Sequence, residues 1–278
     1  MDGDRTSLDA FREFLSTTPS EERPFVLETQ HGLSLHFDHF STQSFMSLTA
    51  PDRLALPYTR TMMGFLLLQS DPRHICMIGL GGGSLAKYCY RHLPQARTTA
   101  VEINPQVIAL RDVFRIPADD TRFEVICADG AEYIHRAGML TDVILLDAYQ
   151  EKGMPDQCTS ADFFAACRAR LTDSGVLVVN LMADDPVLPS HVERLASAFG
   201  TSYSVVRCRD VGNYVAFAWK GARRLPARRE LYERARAPVW DGAPELLSTA
   251  RGLKDGECLD WQRFIWRDQE QGYWKIGV

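Results

Sequence analysis

The chain has little that would suit it to nucleic acid, to a membrane or to an oxidising compartment. Lys and Arg number 31 against 36 Asp and Glu, a net charge of −5, whereas a general nucleic-acid binder normally carries a basic face. The most lipid-like stretch, Leu54 to Gln69, is too short to span a bilayer and carries Arg60. The opening Met-Asp-Gly-Asp-Arg lacks the basic-then-apolar order of a secretory signal. Cysteines are seven, an odd number, with no Cys-x-x-Cys spacing, which argues against a disulfide framework or zinc and for reduced, buried thiols. Internal repeats and low-complexity tracts are absent. The expectation is a soluble, cytoplasmic protein whose 278 residues suffice for a large core.

What is present is organised around residues 74–102. An apolar run, Ile75 to Ile78, meets the cluster Gly79, Gly81, Gly82 and Gly83; a helix-like stretch to His92 and a second apolar strand ending at Glu102 follow. This is the front end of a βαβ nucleotide-binding unit. Glycines let the backbone turn tightly and approach a ligand, and an acid at the second strand's tip accepts both ribose hydroxyls. Ser84 stands where the last glycine of Gly-x-Gly-x-x-Gly would be, which disfavours a nicotinamide enzyme.

Before this unit, Leu8, Phe11, Phe14 and Leu15 share one face of a short helix opened by Ser7. Residues 25–49 alternate in the β manner and predict a small antiparallel β domain. His36 and His39 fall in it on opposite strand faces, as solvated histidines and not a metal pair. Pro57 opens an apolar helix from Tyr58 to Gln69. Strands are then expected at 74–79, 97–103, 122–127, 142–147 and 175–181, with helices near 83–92, 105–114, 130–136 and 159–170. That alternation predicts a doubly wound α/β parallel sheet. After a helix at 189–199, a hairpin turning at Asp210-Val-Gly-Asn closes it. Parallel strands closed by a terminal hairpin are the arrangement of S-adenosylmethionine-dependent transferases with a methyltransferase-like Rossmann fold. Three segments result: 1–53, a helix and small β domain; 54–220, the nucleoside-binding catalytic domain; and 221–278, a helical, aromatic extension. In the last, a basic run from Arg223 to Arg236 reads as a solvated helix face, and Trp261, Phe264, Trp266, Tyr273 and Trp274 as docking residues.

Ligands of an open parallel sheet bind beyond the strands' carboxyl ends. Glu102, Asp129, Asp147 and Asn180 occupy or closely follow those ends. One such acid is as often a helix cap as a ligand; three on one rim call for a ligand, because each is desolvated beside like charges.

In order, Gln43-Ser-Phe-Met, Tyr58, Gly79-Leu-Gly-Gly-Gly, Val101-Glu-Ile, Ala128-Asp-Gly-Ala and the run from Asp142 to Asp147 resemble the spermidine and spermine synthases, and more closely their bacterial synthase-like relatives. The resemblance covers roughly 25–220. It implies transfer of an aminopropyl group from a nucleoside of the S-adenosylmethionine type, with S-adenosylmethionine or its decarboxylated form as co-substrate, to a small putrescine-like amine, usually by a homodimer and without a metal. Glu102 would hold the ribose hydroxyls, Asp129 the adenine amino group beside Gly130 and Ala131, and Gln43 would line the nucleoside pocket. Asp147 and Tyr58 would hold or deprotonate the attacking amine. A free alkylamine, with a pKa of ~10, arrives protonated, and displacement at a sulfonium needs it neutral and aligned.

The sequence also departs from the pattern. Gly82 stands where the synthases carry the aspartate of Gly-Gly-Gly-Asp-Gly, which grips the amino end of the decarboxylated donor. Gln150 occupies the second place of their Asp-x-x-Asp, with Glu151 adjacent as a substitute. Tyr58-Thr59-Arg60 replaces Tyr-His-Glu, setting a cation where a polyamine site wants anions unless Arg60 turns outward or pairs with an acid. These changes keep open methyl or aminocarboxypropyl transfer from undecarboxylated S-adenosylmethionine, and a non-catalytic homologue. The stretch Gln150 to Thr159, with Gly153 and Pro155, suits a loop that closes over the site.

Overall fold

Ile75 to Ile78, buried on both faces, can sit only at the centre of a sheet covered on both sides. The computed structural model describes residues 7–136, 138–150, 153–209, 212–221, 224–236 and 245–256. In chain order, α1 (Ser7–Ser16) precedes β1 (Phe25–Thr29), β2 (Gly32–His36) and β3 (Ser44–Ser47), an antiparallel sheet in that order. Helix α2 (Pro57–Met62) continues as a 3-10 stretch (Met63–Leu67) into β4 (His74–Ile78). Then come α3 (Ser84–His92), β5 (Arg97–Glu102), α4 (Pro105–Ile108), β6 (Phe123–Cys127), α5 (Gly130–His135) and β7 (Thr141–Leu146). They are followed by α6 (Ala161–Arg170), β8 (Leu171–Met182), α7 (Leu188–Phe199), β9 (Tyr203–Arg207), β10 (Asn213–Trp219), α8 (Arg228–Ala235) and α9 (Leu246–Gly256).

The large sheet runs β6-β5-β4-β7-β8-β10-β9, with β4 to β8 parallel and β10 antiparallel to both neighbours. The chain leaves β4 toward β5 and β6, then returns to the other side of β4 for β7, so a crevice opens at that reversal. One face of the sheet packs in a core that is continuous with Leu33, Leu35 and Met46 of the small sheet and Leu253 of α9. The other face packs against α5, α6 and α7.

Several expectations need correction. The helix at 105–114 is a single turn, α4; beyond it the amides of Leu110, Arg111 and Arg115 reach back three residues, and Arg115 is left-handed at φ 54°. That tightening returns the buried Phe114, whose carbonyl accepts the Lys87 ammonium at 2.7 Å. The helix from Tyr58 likewise tightens to 3-10 geometry where Gly64 is pressed on Phe217 and Thr249. His36 is not solvated: it is buried, Nε2 on Ser34 Oγ (2.8 Å) and Nδ1 on Ser41 O (3.1 Å), because β2 is covered on both faces. Of the helix α1 face, Phe14 is buried but Leu8, Phe11 and Leu15 are exposed. Cys127 is exposed, while the other five described cysteines are buried. The aromatic residues beyond Gly256 and the turn at 210–211 lie outside the described residues.

Phe217→Ala, at a site with no exposure, is expected to cost about 3–5 kcal/mol in urea unfolding. Leu8→Ser, 57% exposed, is expected to stay within about 0.5 kcal/mol; a comparable loss would mean that the outer face of α1 is covered in solution.

Candidate active site

Beyond the carboxyl ends of the parallel strands lies a cavity of about 470 Å³. The tips of β4 and β7 meet there. Gly79, at φ 94°, passes so close that a Cβ would come within 2.2 Å of the Asp147 carbonyl oxygen. Glycine is required for that approach. Glu102, at the tip of β5, is buried with its carboxylate clasped by backbone: Oε2 accepts the Leu80 N–H and Oε1 the Asn104 N–H, each at 2.9 Å. Burial pushes its pKa up, and the surrounding amides oppose the rise. Asp129 caps α5 by accepting the Glu132 N–H at 3.0 Å and also lines the cavity. The choice between cap and ligand is thus not exclusive.

Asp147 follows β7, deep in the cavity. Its Oδ2 accepts the Tyr58 hydroxyl at 3.1 Å and its Oδ1 the Asn180 amide at 2.9 Å; Asn213 in turn donates to Asn180 Oδ1 at 2.9 Å. Four elements, β7, α2, β8 and β10, therefore fix one carboxylate. Burial raises its pKa, against the hydrogen bonds from Asn180 and Tyr58.

Of the residues singled out in the sequence, Gln43, Tyr58, Gly79, Gly81, Glu102, Asp129, Gly130, Asp147 and Gln150 line this cavity. Gly82, Gly83 and Ala131 do not reach its wall. A Cβ on Gly82 would meet Ser44 Oγ at 2.7 Å and Phe114 at 2.9 Å, Gly83 is pressed on Ile116, and Ala131 packs in the core. Glu151 lies outside the described residues. Arg60 turns away: Nη1 donates to the Leu54 and Ala55 carbonyls (3.0 and 2.7 Å), and Nε lies 3.4 Å from Glu245.

Sequence comparison decides the lineage. The family model for the spermine/spermidine synthase domain matches residues 55–206. The chain belongs to the spermine/spermidine synthase family. Curated relatives include the polyamine aminopropyltransferase of Chromobacterium violaceum, 40% identical over 73% of this chain and 78% of that protein. That of Neisseria meningitidis is 40% identical over 79% and 81%. Among solved structures, the spermidine synthase of Thermotoga maritima superposes with a TM-score of 0.67 at 18% identity, over 90% of this chain and 84% of that one. Human methyltransferase-like protein 13, in complex with SAH, gives 0.59 at 24% identity over 73% and 93%. These likenesses establish a methyltransferase-like Rossmann fold beside a small antiparallel sheet.

Two features of this synthase-family site went unread in the sequence. Asn213 carried no signal, since its contact depends on the register of β10 against β8. Asp184 and Asp185 did: they follow the tip of β8 as Asp147 follows that of β7, and both line the cavity. Six acids of the wall, Glu21, Glu102, Asp129, Asp147, Asp184 and Asp185, face no Lys, Arg or His among the described lining residues.

Restoring the family's acid by Gly82→Asp is expected to cost about 1–3 kcal/mol through overpacking against Ser44 and Phe114. Urea unfolding reads it; an unchanged midpoint would show that those neighbours yield.

Proposed function

We propose that the chain transfers the aminopropyl group of decarboxylated S-adenosylmethionine to a small amine such as putrescine. The observation that carries this reading is the charge of the cavity: six carboxylates and, among the described residues, no basic side chain in its lining. Both reactants are cations, and among the described residues the wall offers no basic side chain to pair with the carboxylate of undecarboxylated S-adenosylmethionine. The names of the aminopropyltransferase relatives point the same way.

Glu102, held by the Leu80 and Asn104 amides, takes the ribose hydroxyls. Asp129 and Gly130 meet the adenine, Gln43 lines the nucleoside pocket, and Gly79 and Gly81 allow close approach. Asp147 binds the acceptor ammonium and takes its proton, aligned by Tyr58. The freed lone pair attacks the aminopropyl carbon bonded to sulfur; the N–C bond forms, that C–S bond breaks, and its electron pair leaves on sulfur as neutral methylthioadenosine. Positioning and proton removal are the protein's contribution. A homodimeric, cytoplasmic protein is the expectation carried by the family resemblance.

The test incubates the protein with putrescine and either donor and reads products by mass spectrometry. One added aminopropyl unit with methylthioadenosine supports the reading; methyl gain from S-adenosylmethionine would overturn it. Asp147→Asn is expected to lower kcat by about 10²–10⁴-fold, whereas Glu102→Gln weakens methylthioadenosine binding.

A pH dependence follows as well. Asp147 accepts a proton only as a carboxylate, and burial raises its pKa. The kcat/KM ratio therefore falls as pH drops through a value above the usual aspartate range. Tyr58→Phe removes a hydrogen bond that favours the carboxylate, so the acid limb should move to higher pH; a shift downward would contradict this role for the hydroxyl.

A further inference from the structure

The turn between β8 and α7 holds one carboxylate from two sides. Asp185 Oδ1 accepts the Val187 N–H at 2.9 Å, and Oδ2 faces His191 Nε2 at 3.2 Å. The turn needs only the first of these, which an asparagine would also supply. The histidine is a costly addition: its side chain is 4% exposed, and its Nδ1 meets no partner among the described residues. A proton on that nitrogen would be a buried donor left unpaired, so the ring is neutral with its proton on Nε2, aimed at Asp185. Burial also holds the His191 pKa down, against the neighbouring Asp185; Arg194 and Asp156 are the other charges it feels. Arg194 itself donates to the Thr159 carbonyl at 3.4 Å. A neutral donor orients Asp185 without cancelling its charge.

That charge borders the cavity already described. Beside it stands Tyr149, whose hydroxyl donates to Asn180 O at 3.0 Å and accepts the Met182 N–H at 2.8 Å. This pinned ring lies within electrostatic reach of Asp147, Asp185 and Asp184. Carboxylates from two separate elements, after β7 and after β8, thus share the neighbourhood of one aromatic side chain. A ligand with a single ammonium satisfies only one of them. Gln150, which also lines the wall, carries no charge to serve as the second.

We propose that Asp185, positioned by His191, is a specificity-determining residue that selects acceptors carrying a second ammonium, favouring a diamine over a monoamine of the same length. Asp147 meets the reacting nitrogen and Asp185 the far one, with the exposed Asp184 adding to the negative rim. The inference rests on the aminopropyl-transfer reading.

The experiment measures kcat/KM for putrescine and for n-butylamine with saturating decarboxylated S-adenosylmethionine. The readout is the ratio of the two. Asp185→Asn keeps the Oδ1 acceptor for Val187 and removes the charge; it should lower the diamine-to-monoamine ratio about tenfold or more, mainly through the KM for putrescine. His191→Leu, which removes the Nε2 donor, should move the ratio the same way. His191→Gln, which retains a donor at that reach, should restore it. A ratio unchanged in Asp185→Asn, or equal losses for both amines, would overturn the proposal while leaving aminopropyl transfer intact. Absence of transfer to either amine by the unaltered protein would overturn both.

Discussion

The proposed chemistry depends on holding one buried carboxylate with no cation beside it among the described residues. An ion taken from water loses solvation worth several kcal/mol, and Asp147 recovers part of that from neutral dipoles: the Tyr58 hydroxyl and the Asn180 amide, the latter held by Asn213. An arginine in their place would stabilise the site more strongly and leave no charge for a ligand. Arg60, two residues from Tyr58, is held elsewhere by the carbonyls of Leu54 and Ala55 and the acid of Glu245. Glu245 therefore engages a cation outside the cavity.

Placing those dipoles requires the whole sheet. Asn213 reaches Asn180 because β10 pairs with β8 in one register, in which Asn213 stands opposite Met182 and Val215 opposite Asn180. A slip of one residue would turn Asn213 to the other face. The terminal hairpin that marks the fold is thus also the outer support of Asp147, through an amide-to-amide contact.

How much of this was legible in the sequence depends on what each feature rests upon. The parallel strands could be read because Ile75 to Ile78 and Val143 to Leu146 are unbroken apolar runs, and sheets buried on both faces demand such runs. Glu102, Asp129 and Asp147 could be read because strand tips and their turns line the crevice by topology alone. Motif letters, however, do not separate contact from packing. Gly79 and Gly81 reach the cavity, while Gly82 and Gly83 of the same cluster are pressed against Ser44, Phe114 and Ile116. The apolar pattern of 105–114 could not reveal that the chain tightens to bury Phe114, nor strand alternation that both sides of β2 are covered. Side-chain direction was hidden wherever a distant partner sets it, as with Arg60 and Glu245 or Asp185 and His191.

The fold alone does not select the chemistry, since the same sheet superposes on a methyltransferase-like protein in complex with SAH. In the proposed aminopropyl transfer, the charge of the described lining would contribute that selection. A sulfonium and an ammonium 4 Å apart repel by about 4 kcal/mol at an effective dielectric constant of 20, so a neutral cavity would oppose their meeting. Carboxylates around both offset that repulsion in the reactant state. When the acceptor gives up its proton and the C–S bond breaks, the sulfur becomes neutral, and the attraction that held the donor end disappears with its charge. On this proposal an acid-lined cavity would bind the two cations together and then relax its hold on the thioether, making product departure a consequence of the reaction's own electrostatics.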